Sequence, residues 1–86
     1  MKLWLLRPVQ ECNDEENPWS PWYDKVFGFV VRADTEEEAR TMADKKGGNE
    51  NGEHSAHPWM DARYSTCLEL LPNGDPGIVM RDFAKA

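Results

Sequence analysis

Hydrophobic and polar positions divide the chain into four apolar runs and one stretch with helical spacing. Lys2-Leu3-Trp4-Leu5-Leu6 is stopped by Arg7-Pro8 and predicts a first strand over about residues 2–6, since proline has no amide to donate to a ladder. Val26-Phe27-Gly28-Phe29-Val30-Val31-Arg32 is the strongest strand signal, rich in β-branched and aromatic residues. Phe27, Phe29 and Val31 share one face and Val26, Gly28 and Val30 the other, so a strand over 25–32 with two largely apolar faces is expected at the centre of a sheet. Tyr64, Thr66, Leu68 and Leu70 alternate with Ser65, Cys67 and Glu69, which predicts a strand over 64–70. The turn-rich Pro72-Asn73-Gly74-Asp75-Pro76-Gly77 then precedes Ile78-Val79-Met80-Arg81-Asp82-Phe83, and a fourth strand over 78–83 is expected to form an antiparallel hairpin with the third.

Between the second and third runs lies a segment whose helical ends are both specified. Thr35 with Glu38 three residues on forms a capping box, and Glu36, Glu37 and Glu38 place acids where the helix dipole favours them. Lys45 and Lys46 suit the last turn, and Gly47 is expected to supply a left-handed stop, giving a helix over about 36–46. Ala39, Met42 and Ala43 make one narrow apolar stripe. The connections 8–24 and 47–63 are long and aperiodic, and loops beyond about 12–15 residues are often functional. The order β-β-α-β-β predicts one domain over 1–86. It is an α+β, two-layer fold with a four-stranded, mostly antiparallel sheet and one helix. So narrow a helix leaves part of the second sheet face uncovered, and the tryptophan-bearing loops are expected to fold over it.

Composition narrows the function classes. A chain of 86 residues allows a single small core that buries roughly 60% of the unfolded chain's surface. Ten basic against sixteen acidic side chains leave a net charge of −6, which argues against direct nucleic-acid binding, because that affinity comes from lysines and arginines releasing counterions. The apolar runs are too short for a membrane span, and the opening run is too short for a secretory leader, so a cytoplasmic protein without membrane contact is expected. In that compartment Cys12 and Cys67 are expected to be reduced thiols. The negative charge is concentrated in the loops: residues 1–24 carry −3 and residues 47–63 carry −2, while 25–46 is neutral.

Three Pro-Trp pairs, Pro18-Trp19, Pro21-Trp22 and Pro58-Trp59, lie in the two long connections. Each proline stiffens the backbone before a large ring. The rings suit anchors for a protein partner, or else a lid over a core short of large side chains. His54-x-x-His57, with Cys12, Cys67, Glu50, Glu53 and Asp61 elsewhere, supplies ligand types that zinc accepts, but no Cys-x-x-Cys pair completes the usual structural spacing. A metal-binding or catalytic domain centred on His54, His57 and Asp61 is therefore the alternative rather than the leading reading. Nucleophile-elbow and phosphate-loop motifs are absent from the sequence, and neither enzyme activity nor a cofactor is expected.

The stretch from Trp22 through Ala33, continued by Thr35-Glu36-Glu37-Glu38-Ala39-Arg40, together with Ser65-Thr66-Cys67 and the run from Gly77 to Phe83, resembles short uncharacterised bacterial and phage proteins. In size and charge the chain is also similar to anti-CRISPR proteins and other anti-defence inhibitors, which occupy the nucleic-acid path of a defence complex or block its assembly. The acidic loops and the Pro-Trp rings point to a small acidic protein-protein interaction module, and the likeness in size and charge gives its sharpest form, a phage-type inhibitor of a host nucleic-acid-processing complex. Its partner would present a basic surface. Glu11, Asp14, Glu15 and Glu16 would steer that encounter, and Trp19, Trp22 and Trp59 would anchor it. A structural homodimer joined through the first or last strand is a further alternative.

Overall fold

A computed structural model describes residues 1–9, 18–19, 26–48, 51 and 57–82. In chain order these form β1 (Lys2–Pro8), β2 (Phe29–Ala33), α1 (Glu36–Lys45), a 3-10 turn (Pro58–Met60) and β3 (Ser65–Leu70). The fold is small and α+β, with one helix against an antiparallel sheet of three strands in the order β2-β1-β3. No helix among the described residues is long and apolar enough to cross a membrane.

The central strand is β1, and the expectation that the second apolar run would take that place is overturned. Leu5 pairs with Val30 of β2 on one side and Leu68 of β3 on the other, and the ladder to β3 continues through Pro8 opposite Ser65. The reason is two-sided burial. Leu5 and Leu6 point to opposite faces and both are buried, whereas β2 starts only at Phe29 and leaves Val30 and Arg32 exposed. A strand with one solvated face belongs at an edge of an antiparallel sheet.

The expected fourth strand does not form: 78–82 is irregular. Pro72 and Pro76 donate no amide and restrict the residues before them. Beyond this turn the chain leaves the edge of β3 and returns to the other side of the sheet. There the Arg81 carbonyl accepts from Arg7 Nη2 at 3.2 Å, and Met80 and Asp82 lie beside Phe27, Gly28 and Val30. A homodimer contact through the first strand would not be an edge pairing, since β1 has partners on both sides, and 78–82 offers no ladder for one. The edges are β2 and β3.

Helix α1 starts as its local signals require. Thr35 is the N-cap in extended conformation, and its Oγ1 accepts from the Glu38 amide at 3.2 Å. Glu38 Oε2 accepts from the amide of Asp34 at 3.3 Å, one residue earlier than an ideal capping box. At the other end, Lys46 N donates to the Ala43 carbonyl and Gly47 N to that of Asp44, so tight i to i−3 bonds end the helix. Gly47 is not left-handed; among the described residues the positive-φ ones are His57 and Gly74.

The buried face of α1 is Ala39, Arg40 and Ala43, while Met42 is 51% exposed. Two alanines provide little volume, and indoles fill the space they leave. Trp59 is fully buried, with Trp19 at 5.0 Å and Phe29 at 4.8 Å between ring centroids, both edge to face. These rings join Leu6, Val31, Ala33, Tyr64 and Cys67 in one core beneath the helix. Trp19 Nε1 donates to the Tyr64 carbonyl at 2.9 Å, which satisfies its buried N–H. The guanidinium of Arg40 ties the 3-10 turn and β3 to the helix: Nη1 donates to the Trp59 carbonyl (2.9 Å) and Ser65 Oγ (2.8 Å), and Nη2 to the Ser65 carbonyl (3.2 Å). Ser65 Oγ in turn donates to the Pro58 carbonyl at 2.7 Å.

Candidate protein-interaction surface

The helix and the two described loop indoles, Trp19 and Trp59, all lie on one side of the sheet, because the core unites them with Leu6 and Val31. The expectation that the tryptophan loops would cover the second face is therefore corrected for Trp19 and Trp59. Side chains alternate along strands, so the opposite face is built from Leu3, Leu5 and Arg7 of β1, Val30 and Arg32 of β2, and Thr66, Leu68 and Leu70 of β3. Register places Val30, Leu5 and Leu68 side by side across the three strands. Leu5 is buried, but Val30 is 58% and Leu68 62% exposed, with Leu3 beside them at 37%. Where the returning terminal segment meets this face, a groove of about 160 Å³ is lined by Leu5, Arg7, Phe27, Val30, Met80 and Asp82 among others. A Cβ at Gly28 would stand 3.1 Å from Arg7 Nη1 and 3.2 Å from the Leu6 carbonyl, so glycine there lets the arginine lie flat along the groove.

Of the other residues singled out by sequence, only Trp19, Trp59, His57, Asp61 and Cys67 are described. Glu11, Asp14, Glu15, Glu16, Trp22, Cys12, Glu50, Glu53 and His54 lie outside the described residues. Trp59 and Trp19 have their rings in the core, and exposing either to a partner would unpack it. His57 Nδ1 lies 3.0 Å from Asp44 Oδ1, in a left-handed backbone conformation at φ 44°. Asp61 is instead bound by Arg63, whose Nη2 donates to Oδ2 at 2.9 Å and whose amide donates to Oδ1 at 2.9 Å. Those hydrogen bonds hold the Asp61 carboxyl below its usual pKa. The structure thus pairs His57 and Asp61 with different partners, and among the described residues no group of three His, Cys, Asp or Glu could hold a metal ion. Burial pushes the Cys67 thiol up, away from the thiolate a nucleophile needs. A wider, open concavity of about 560 Å³ lies over the outer face of α1, between Thr35, Glu37, Glu38, Thr41 and Met42. It is lined by two carboxylates, two hydroxyls and one thioether, and two of these groups are already engaged within the helix: Thr35 Oγ1 as the N-cap and Thr41 Oγ1 on the Glu37 carbonyl.

The aliphatic face was missed in the sequence as a site. Its signal lies in the pairing of apolar residues on the outward positions of β2 and β3, Val30 and Leu68, which becomes meaningful only once the helix is known to occupy the other side. Comparison with protein-family models, with curated proteins and with solved structures finds no match to this chain.

Proposed function

We propose that this chain is a non-enzymatic protein-protein interaction module. The observation that supports the reading is the pair of exposed aliphatic side chains Val30 and Leu68, in register on either side of the buried Leu5 and flanked by Leu3, on the sheet face opposite α1. Exposed single apolar residues are ordinary, but a contiguous row in register across three strands is the kind of patch that marks interaction sites. The net charge of −6 complements a basic partner, and Glu11, Asp14, Glu15 and Glu16 are the proposed steering groups. In its sharpest form the module is an inhibitor of a nucleic-acid-processing complex, whose Lys- and Arg-lined channel would accept such carboxylates.

The test is affinity purification from a bacterial lysate with the native chain beside a Val30→Ser/Leu68→Ser variant, both checked for folding by circular dichroism. A partner retained by the first and lost from the second supports the reading. A partner held equally by both sinks it. For the inhibitor form, neutralising Glu11, Asp14, Glu15 and Glu16 to Gln and Asn is expected to slow association and flatten its salt dependence.

A further inference from the structure

The charges on the open sheet face point to the chemistry of what covers it. The only ionisable side chains that β1, β2 and β3 project there are Arg7 and Arg32; Glu69 lies on the helix side, 3.6 Å from Lys2 Nζ. Among the described residues neither arginine is ion-paired with a carboxylate. The strands therefore present an aliphatic and cationic surface, with Asp82 of the returning segment lining the groove that Arg7 also lines. The geometry points to an amphipathic helix of a partner protein, with an aliphatic stripe flanked by carboxylates, as the occupant of this face. This inference rests on this face being the interaction site and adds the shape and charge of the segment seated on it; the basic surface proposed for the partner is assigned to Glu11, Asp14, Glu15 and Glu16 instead.

Size favours a single helix. With strands about 4.8 Å apart and about 3.3 Å of rise per residue, the face is roughly 10 Å between its outer strands and 20 Å long. That matches one helix of about 10 Å diameter, and is well short of the roughly 800 Å² per partner of a standard globular interface. The same limit, with the like charges, disfavours a second copy of this chain: a two-fold contact would set Arg7 and Arg32 against their own counterparts. The occupant would do on this side what α1 does on the other, where a helix already packs on the same sheet. Val30, Leu68 and Leu3 offer methyl groups, with one aromatic ring, Phe27, at the groove, so the strand-borne part of the face suits leucine and isoleucine side chains.

Two synthetic 18-residue helical peptides with the same leucine stripe, one flanked by Glu and the other by Lys, test the idea against the isotope-labelled full chain. The expected result is methyl shifts at Leu5, Val30 and Leu68 with the Glu peptide, and binding at least about fivefold tighter than with the Lys peptide, the scale of two partly exposed ion pairs. Arg7→Gln/Arg32→Gln should remove the difference between the peptides, and Val30→Ser/Leu68→Ser should weaken both. Equal or stronger binding of the Lys peptide at these methyls overturns the acidic-flank inference while leaving the face as the interaction site. No binding of either peptide, shifts confined to α1, concentration-dependent shifts of the chain alone, or binding to anionic phosphatidylserine vesicles in place of the peptides overturns the helix as occupant. Loss of the captured partner's dependence on Val30 and Leu68 overturns the underlying reading instead.

Discussion

Arg40 is the buried cation on which the arrangement of helix, 3-10 turn and β3 depends, and Arg40→Met isolates its contribution. Methionine keeps the length of the stem and its packing but removes every donor. Two buried acceptors, the carbonyls of Trp59 and Ser65, lose the guanidinium, while Ser65 Oγ keeps its own bond to Pro58. Stranding a buried acceptor costs about 1–3 kcal/mol. The lost pair with Glu36, at 2.9 Å, counts for little, because that carboxylate is half exposed and an i, i+4 surface pair contributes about 0.3–0.5 kcal/mol. Opposing these losses, the variant no longer desolvates a charge, and a hydrophobic replacement of a buried ion can recover part of the difference. With two acceptors stranded, the expected net destabilisation is about 2–3 kcal/mol. A chain of this size has a total stability of about 4–13 kcal/mol, so the loss is severe. Urea unfolding followed by tryptophan fluorescence should show the midpoint falling by about 2 M at an m-value near 1–1.5 kcal/mol/M. Arg40→Lys, which keeps the charge without the planar fork, should fall between the two. A midpoint for Arg40→Met within about 0.5 M of the native chain would refute the argument and show that the stranded carbonyls find water or other donors.

Two more outcomes follow from the shifted groups. Because Asp61 is held below the usual carboxylate value by its hydrogen bonds with Arg63, its ionised form contributes stability above that usual value, and the contribution is lost as pH falls through the lower, folded value; urea unfolding should therefore find Asp61→Asn weaker than the native chain at neutral pH, with the gap closing as the medium is made acidic enough to protonate the folded carboxyl, and a difference that does not change with pH would contradict this. The Cys67 thiol, raised by burial, should resist a disulfide reagent in the folded Cys12→Ser variant and react fully in denaturant; modification at the full rate under native conditions would show that the core beneath α1 opens readily.

Local chemistry was legible wherever it acts within one element. The helix expected over 36–46 is found at Glu36–Lys45, because a cap, a first turn of acids and a middle without glycine or proline all act over a few residues. The strand expected over 64–70 is found at Ser65–Leu70 for the same kind of reason, alternation along one run. What failed depended on neighbours. Val26 to Arg32 has apolar residues on both faces, yet only Phe29–Ala33 pairs and it lies at an edge. Ile78 to Met80 reads as a strand, yet the prolines before it carry the chain away from β3's edge. Met42 fits the helical stripe, yet Arg40 takes the buried position, because three carbonyl and hydroxyl acceptors from other elements converge on it.

The open face shows the same division between local and distant information. By itself the sequence determined that one helix would be too narrow to cover both sides of a sheet, that the helix would begin at Thr35, and that the chain as a whole is acidic. Only the tertiary structure decided which side the helix and indoles would share. Two alanines on the buried face of α1 leave room that Trp19 and Trp59 fill, and rings packed there cannot also cover Val30 and Leu68. An alternating pattern marks two faces of a strand equally well; which of them is buried depends on volume supplied by residues distant in the chain.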